Sequence, residues 1–313
     1  MLGKTAGGLF WLFRFLERAE NTARLVETGW RIALTRQNAA AAEWESVLNT
    51  AGLRTAYLEN HDDFDGSAVI NFLLRDKESP SSVRASINAA RSNARMVRTA
   101  LTSEVWEAVN ECWMDINTLL KRPVSDRSLA ETLAAIRFRS AVVRGALHGT
   151  MLRNDTFWFS RLGTFVERAD NTARILDMKY YVLLPTAAFV GSSIDNTQWE
   201  TILRSVSADR SYRWIKGDET NPRDIADFLI LDRRLPRSLA FCYEKIEENL
   251  SRLSAEYGKE PQSLDLVRQH NARYHGRDID MIFDEGLHEF LERSIARTGD
   301  LAQQIEADFG FYG

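Results

Sequence analysis

The eight residues Glu17-Arg18-Ala19-Glu20-Asn21-Thr22-Ala23-Arg24 recur 150 positions later as Glu167-Arg168-Ala169-Asp170-Asn171-Thr172-Ala173-Arg174, and the single difference, Glu20 against Asp170, keeps a carboxylate. Each copy sits on the same apolar stripe. Leu12, Leu16, Ala19, Ala23 and Val26 fall at i, i+4, i+7, i+11 and i+14, and Leu162, Val166, Ala169, Ala173 and Leu176 reproduce the series, a spacing that an α-helix turns to one face. Such a chain is bound to contain two long helices with matching core faces and matching polar runs.

The correspondence extends past the octet. Trp44-Glu45 and Leu48 match Trp199-Glu200 and Leu203, Tyr57 matches Tyr212, and Phe72-Leu73, Asp76, Pro80 and Ser82 match Phe228-Leu229, Asp232, Pro236 and Ser238, with the offset growing from 150 to 155 and then 156. This predicts a first helical repeat over 1–150 and a second over 151–313, related by a pseudo-two-fold axis and sharing one core. Helix starts are signalled by Ser79-Pro80, by Asn221-Pro222 and by Ser125 or Asp126, each a capping side chain at the head of a helical pattern. Only 6 prolines and 17 glycines punctuate the chain, and no sustained apolar/polar alternation argues for strands, so the predicted class is an all-α helical bundle. Loops are expected at 59–66, 122–127, 154–157, 185–196, 217–222 and 258–262.

Composition narrows the function classes. Forty Lys+Arg against 44 Asp+Glu give a net charge of -4, which supplies no bulk attraction to nucleic acid or to an anionic membrane. No apolar run is long enough to span a bilayer, and Arg14, Glu17 and Arg18 interrupt the start too early for a secretory signal. Cys112 and Cys242 stand far apart and outside any Cys-x-x-Cys pattern, which points to a reducing, cytoplasmic setting without disulfides or a thiolate metal site. Gly-x-Ser-x-Gly, Walker-type and dinucleotide fingerprints are missing, which disfavours those hydrolase, P-loop and Rossmann chemistries. His61, His148, His270, His275 and His288 are scattered. The run His61-Asp62-Asp63-Phe64-Asp65-Gly66 has Phe72 where a calcium loop needs its bidentate Glu, so it reads as an acidic loop capping the next helix.

Function is therefore to be sought in the octets. On a helical wheel Glu17, Glu20, Asn21 and Arg24 occupy one arc opposite the apolar stripe with Arg18 on its shoulder, and Glu167, Arg168, Asp170, Asn171 and Arg174 repeat the layout. A surface Glu-to-Arg pair at i, i+4 contributes only about 0.2–0.5 kcal/mol, too little to hold seven identities in eight. Three readings follow. The arcs form buried, mutually satisfied ion pairs between the two halves, a structural role. Alternatively Glu17, Glu20, Glu167 and Asp170 converge to hold Mg²⁺, as an enzyme acting on a phosphorylated or nucleotide substrate would require. In the third reading Arg18, Arg24, Arg168 and Arg174, with Asn21 and Asn171, build a pocket for a carboxylate, a phosphate or an acidic peptide. The aromatic residues near each octet, Phe10, Trp11, Phe13 and Phe15, then Phe157, Trp158, Phe159 and Phe165, are mostly core, with Phe10 and Phe13 expected at a cleft or partner surface because they fall on the polar side of the wheel.

The segment Phe10-Trp11-Leu12-Phe13-Arg14-Phe15-Leu16-Glu17-Arg18-Ala19-Glu20-Asn21-Thr22-Ala23-Arg24-Leu25, with its second Glu-Arg-Ala-Asp at Glu167, resembles the bacterial alpha-E family over essentially the whole chain. The resemblance implies an all-helical domain whose motif residues are Glu17, Arg18, Glu167 and Arg168. It further implies a role beside circularly permuted ATP-grasp proteins and transglutaminase-like proteins, in an amide-ligating or peptide-modifying system. The expected function is thus an accessory or substrate-binding component of such a system, with a Mg²⁺-dependent enzyme and a non-catalytic helical scaffold as the alternatives. Gly163-Thr164 stands where the first copy has Phe13-Arg14, so a role for Arg14 belongs to the first copy alone.

Overall fold

The computed structural model describes residues 1–35, 40–183 and 193–312, and among them every regular element is helical. The first half runs α1 (Gly3–Thr35), α2 (Ala40–Ala51), α3 (Arg54–Leu58), α4 (Gly66–Arg75), α5 (Val83–Met96), α6 (Ser103–Leu119) and α7 (Asp126–Thr150). The second runs α8 (Asp155–Leu183), α9 (Ser193–Ser205), α10 (Asp209–Lys216), α11 (Pro222–Ile230), α12 (Leu239–Tyr257), α13 (Gln262–Ala272), α14 (Ile279–Asp284) and α15 (Leu287–Asp308).

Local chemistry sets the boundaries. Asn221 caps α11, its side chain accepting from the Arg223 amide at 2.9 Å with Pro222 at the first helical position. Ser125 heads α7 in a capping box with Ser128. The acidic loop ends on Asp65, which accepts from the Ala68 amide at 2.9 Å and so starts α4. One predicted start moves. Pro80 does not open α5; Ser82 does, accepting from the Ala85 amide at 3.1 Å while its hydroxyl donates to the Asp76 carbonyl. Ser238 repeats this arrangement at the head of α12, with Phe241 as the capped amide and the Asp232 carbonyl as acceptor. The expected loop 185–196 lies largely outside the described residues.

The two octet-bearing helices, α1 and α8, lie side by side at the centre and run in the same direction. The N-terminal amine meets Asp155 at 3.6 Å, and further along Arg168 meets Glu17 at 2.9 Å. Close approach between them is permitted by Gly163, where a Cβ would come within 2.1 Å of the Phe10 carbonyl oxygen. Helices α5 and α7 flank α1, α12 and α15 flank α8, and α2 touches both. Buried apolar side chains from Ala6 to Phe311 form one continuous cluster.

Because α1 is enclosed on several sides, its polar face is not a surface. Phe10 and Phe13 are fully buried, which corrects the expectation that they line a cleft: Phe10 packs on Phe311 with ring centroids 5.3 Å apart, as the C-terminal residues return to cover the starts of both long helices. Cys112 and Cys242 are free and buried, with burial pushing each thiol up to about 12. Among the described residues no helix is long and apolar enough to cross a membrane.

Candidate functional site

The octets face each other across the α1–α8 contact and exchange ion pairs reciprocally. Arg168 donates from Nε and Nη2 to the two oxygens of Glu17 at 2.9 and 3.0 Å, and Arg18 donates from Nε and Nη2 to the two oxygens of Glu167 at 2.5 and 2.9 Å. Both are bidentate fork pairs, the strong form of the guanidinium–carboxylate contact. The first of the three readings thus has its geometry: carboxylates from one octet are neutralised by arginines of the other.

Around this shared pair of forks the two octets differ. On the first, Glu20 is fully buried and accepts from Arg24 at 2.7 Å and from Arg237 at 2.8 Å, while Arg144 reaches both Glu20 and Glu17. Arg237 also meets Glu17 at 3.0 Å and donates to the Asn21 side-chain oxygen at 3.1 Å. Arg24 uses its Nη1 on the Ser205 carbonyl and the Ser207 hydroxyl, each at 2.8 Å. Burial alone would raise the Glu17 carboxyl, but the charges of Arg168, Arg237 and Arg144 outweigh it and hold the group well below the usual carboxylate range. Glu20 is lowered too, although burial and repulsion from Glu17 both oppose it; Arg237, Arg144 and Arg24 prevail. Glu17 and Glu20 are therefore ionised parts of the interior at neutral pH.

On the second octet, Glu167 accepts from Arg14 at 3.0 Å in addition to Arg18, and the pair overcomes the upward push of burial to keep it ionised. Asp170, by contrast, has among the described residues one ion-pair partner, Arg174, at 2.7 Å, and both side chains retain exposure, 24% and 36%. Beside them opens a cavity of about 180 Å³. Its walls carry Arg18, Asn21, Thr22 and Leu25 from α1 and Glu167, Asp170, Asn171 and Arg174 from α8, and are completed by Thr50, Ala51, Leu53 and Ser81. The Asn171 amide nitrogen is buried without a hydrogen-bond partner, an open donor of the kind that water, an ion or a ligand satisfies.

A register relation explains why this cavity opens beside Asp170 and has no counterpart at the place that Arg237 fills. Thr22 donates to the Ser81 carbonyl at 3.3 Å, and Thr172 donates to the Arg237 carbonyl at 2.8 Å. Ser81 and Arg237 hold equivalent places, each just ahead of the serine that caps α5 or α12. From its place Arg237 sends a guanidinium onto Glu17, Glu20 and Asn21. Ser81 sends nothing onto Glu167, Asp170 and Asn171, and the space stays open.

Of the sequence-selected residues, Glu17, Glu20, Arg24 and Arg168 are absorbed in buried ion pairs, while Arg18, Asn21, Glu167, Asp170, Asn171 and Arg174 reach the cavity. Of the residues in the third reading, Arg18, Asn21, Asn171 and Arg174 line this cavity, Arg24 and Arg168 do not, and two carboxylates do. The four carboxylates do not gather around one point, and among the described residues no group of three or more His, Cys, Asp or Glu side chains is placed to hold a metal ion. Guanidinium groups already occupy the space between Glu17 and Glu20. Sequence reasoning missed Arg144, Arg237 and Ser81. Arg237 had a faint signal, since it breaks the match between Pro80-Ser81-Ser82 and Pro236-Arg237-Ser238.

Comparison with known proteins finds uncharacterized proteins of Mycobacterium bovis and of Mycobacterium tuberculosis, each 24% identical over 92% of this chain. The match occupies 34% of those proteins, so the chain spans about a third of the length of these curated relatives. No solved structure matches it. The family model described as a predicted alpha-helical domain with a conserved ER motif matches residues 1–309, and both octets begin with a Glu-Arg step at 17–18 and 167–168. The chain belongs to the Alpha-E family.

Proposed function

We propose that this Alpha-E chain is a substrate-binding accessory component of an ATP-grasp-linked amide-ligating or peptide-modifying system, and that the cavity beside Asp170 takes the amino-acid or peptide substrate. The observation that carries the reading is the Ser81/Arg237 difference. Glu20 and Asn21 receive the guanidinium of Arg237, whereas Ser81, at the equivalent place, supplies none to Asp170 and Asn171, and a cavity opens beside them. A ligand bearing an ammonium or guanidinium group fits that space, with its cation directed at Asp170, Glu167 and the Asn171 amide oxygen.

The rest of the lining suits the other end of such a molecule. Arg18 and Arg174 offer guanidinium groups to a carboxylate, and the unpartnered Asn171 amide offers a donor to a carbonyl. Paired charges of both signs with amides match a zwitterion better than a simple anion. That the matched region forms only a third of the curated relatives fits a module working beside further polypeptide.

Two experiments test the reading. Calorimetric titration with L-arginine, L-alanyl-L-arginine and L-alanine should show binding of the cationic compounds. Ser81→Arg, which supplies the guanidinium internally, should abolish that binding without lowering the melting temperature. Undiminished binding by the Ser81→Arg chain would overturn the site assignment. Co-purification with an ATP-grasp protein encoded beside it tests the wider role, and a failure to associate with that protein or to alter its activity would overturn it.

A further inference from the structure

A second cavity, of about 260 Å³, opens between the C-terminal part of α7 and the first half of α8. Its charged and polar lining is Arg144 and His148 from α7 and Arg161, Thr164 and Arg168 from α8, with no carboxylate among the lining residues. Behind it the buried pair Glu17 and Glu20 faces four guanidinium groups, those of Arg24, Arg144, Arg168 and Arg237. Two carboxylates against four cations leave positive charge in the interior, and buried charge without a counter-charge is costly.

Arg161 carries the argument. It makes no ion pair among the described residues; its Nη1 donates instead to the Nε2 of His148 at 3.0 Å, and its guanidinium lies over the Phe165 ring at 4.5 Å. Glu248, whose charge reaches Arg161, is already held by Lys245 at 2.7 Å. Arg153 adds a further cation nearby, over the Phe157 ring at 4.0 Å and bonded to the His148 carbonyl at 2.6 Å. Burial, then the neighbouring arginines Arg161, Arg153, Arg144 and Arg168, lower the imidazole of His148 to about 4. It is thus neutral, and its ring nitrogen accepts from Arg161. Burial and the charge of Arg168 bring even the Arg161 guanidinium down to about 10.

We infer that this cavity is a binding site for a phosphate group, held by Arg144, Arg161 and Arg168 with Arg161 as its main ligand. A tetrahedral dianion matches both the surplus charge and a wall carrying three guanidinium groups from two helices, of which Arg144 and Arg168 also hold Glu17, Arg168 also donates to the Pro236 carbonyl, and Arg161 makes no ion pair among the described residues; a carboxylate supplies one charge and two oxygens. The site is separate from the cavity beside Asp170, although Arg168 links its wall to the ion pairs between the octets.

Titration of the full chain with inorganic phosphate, pyrophosphate and citrate in chloride buffer tests the assignment, read by calorimetry and by the NMR shifts of the His148 ring. Phosphate and pyrophosphate should bind at one site and shift the His148 resonances. Arg161→Gln, which leaves the Glu17 and Glu20 pairs intact, should weaken binding about tenfold or more, while Arg174→Gln in the other cavity should leave it unchanged. The ring shifts of the unmodified chain report independently of how the variants fold. Absence of phosphate-dependent heat or shifts, equal binding by the Arg161→Gln chain, or citrate binding as tightly as pyrophosphate would each overturn the assignment.

Discussion

Arg168 grips Glu17 with two parallel hydrogen bonds, at 2.9 and 3.0 Å, across the contact between the two long central helices. Glu17 is 1% exposed, so its charge depends on this fork and on Arg144 and Arg237. Glu17→Gln should lower the unfolding free energy by about 3–5 kcal/mol, because it strands buried guanidinium charge. Asp170→Asn, at the partly exposed equivalent of Glu20, should cost less than about 1 kcal/mol. Urea denaturation of the two variants side by side checks the contrast, and equal losses would contradict it.

The Phe10–Gly163 approach makes a steric prediction. Gly163→Ala places a Cβ against a backbone oxygen that cannot swing away, and should destabilise by about 1–3 kcal/mol or more. Gly299→Ala, mid-helix in α15 with open space around the added atom, should stabilise by about 0.5–1 kcal/mol. Melting curves of the two variants should move in opposite directions.

Arg237→Ser recreates at Glu17 and Glu20 the opening that Ser81 leaves at Asp170. It should destabilise by about 3–5 kcal/mol, and millimolar guanidinium or agmatine should restore part of the lost melting temperature in this variant alone. No selective recovery would show that the vacated space does not receive a cation.

Acid should unfold the protein in two stages. His148 and His270 have folded pKa values lowered to about 4 from 6.5, with burial the first cause for both, so the unfolded state binds more protons between those values. Their contribution is complete above pH 6.5 and is lost as pH falls toward 4. Glu17, Glu20 and Glu167 are lowered from 4.5 by their arginines against the opposing push of burial, so their contribution is complete above pH 4.5 and declines below it. Melting temperature against pH should fall gently from 6.5 and steeply below 4.5, and His270→Leu should flatten the first part.

Much of this was legible in the residues. The 3.6-residue stripe of Leu12, Leu16, Ala19, Ala23 and Val26 identified a helix core face, and all five are buried. Asn221-Pro222 marked a true helix start because the cap and the proline act within three residues. Ser79-Pro80 misled, since the Asp76–Ser82 turn delays the helix by one more turn of chain. Phe10 and Phe13 were misplaced for a different reason: a wheel describes one helix alone, and α1 is covered on more than its apolar side. Arg144 and Arg237 escaped notice because they arrive from 124 and 217 positions away from Glu20, a distance over which local spacing carries no signal.

The unequal pair Ser81 and Arg237 has a consequence for how such a molecule can change. An assembly of two identical chains must carry the same side chain at both positions, so opening one vestibule opens the other and sacrifices the bonds that brace the centre. A single polypeptide that contributes both helices is free of that constraint. Here one position keeps the brace and the other carries a short side chain, so the room beside Asp170 comes at little cost to the framework around it.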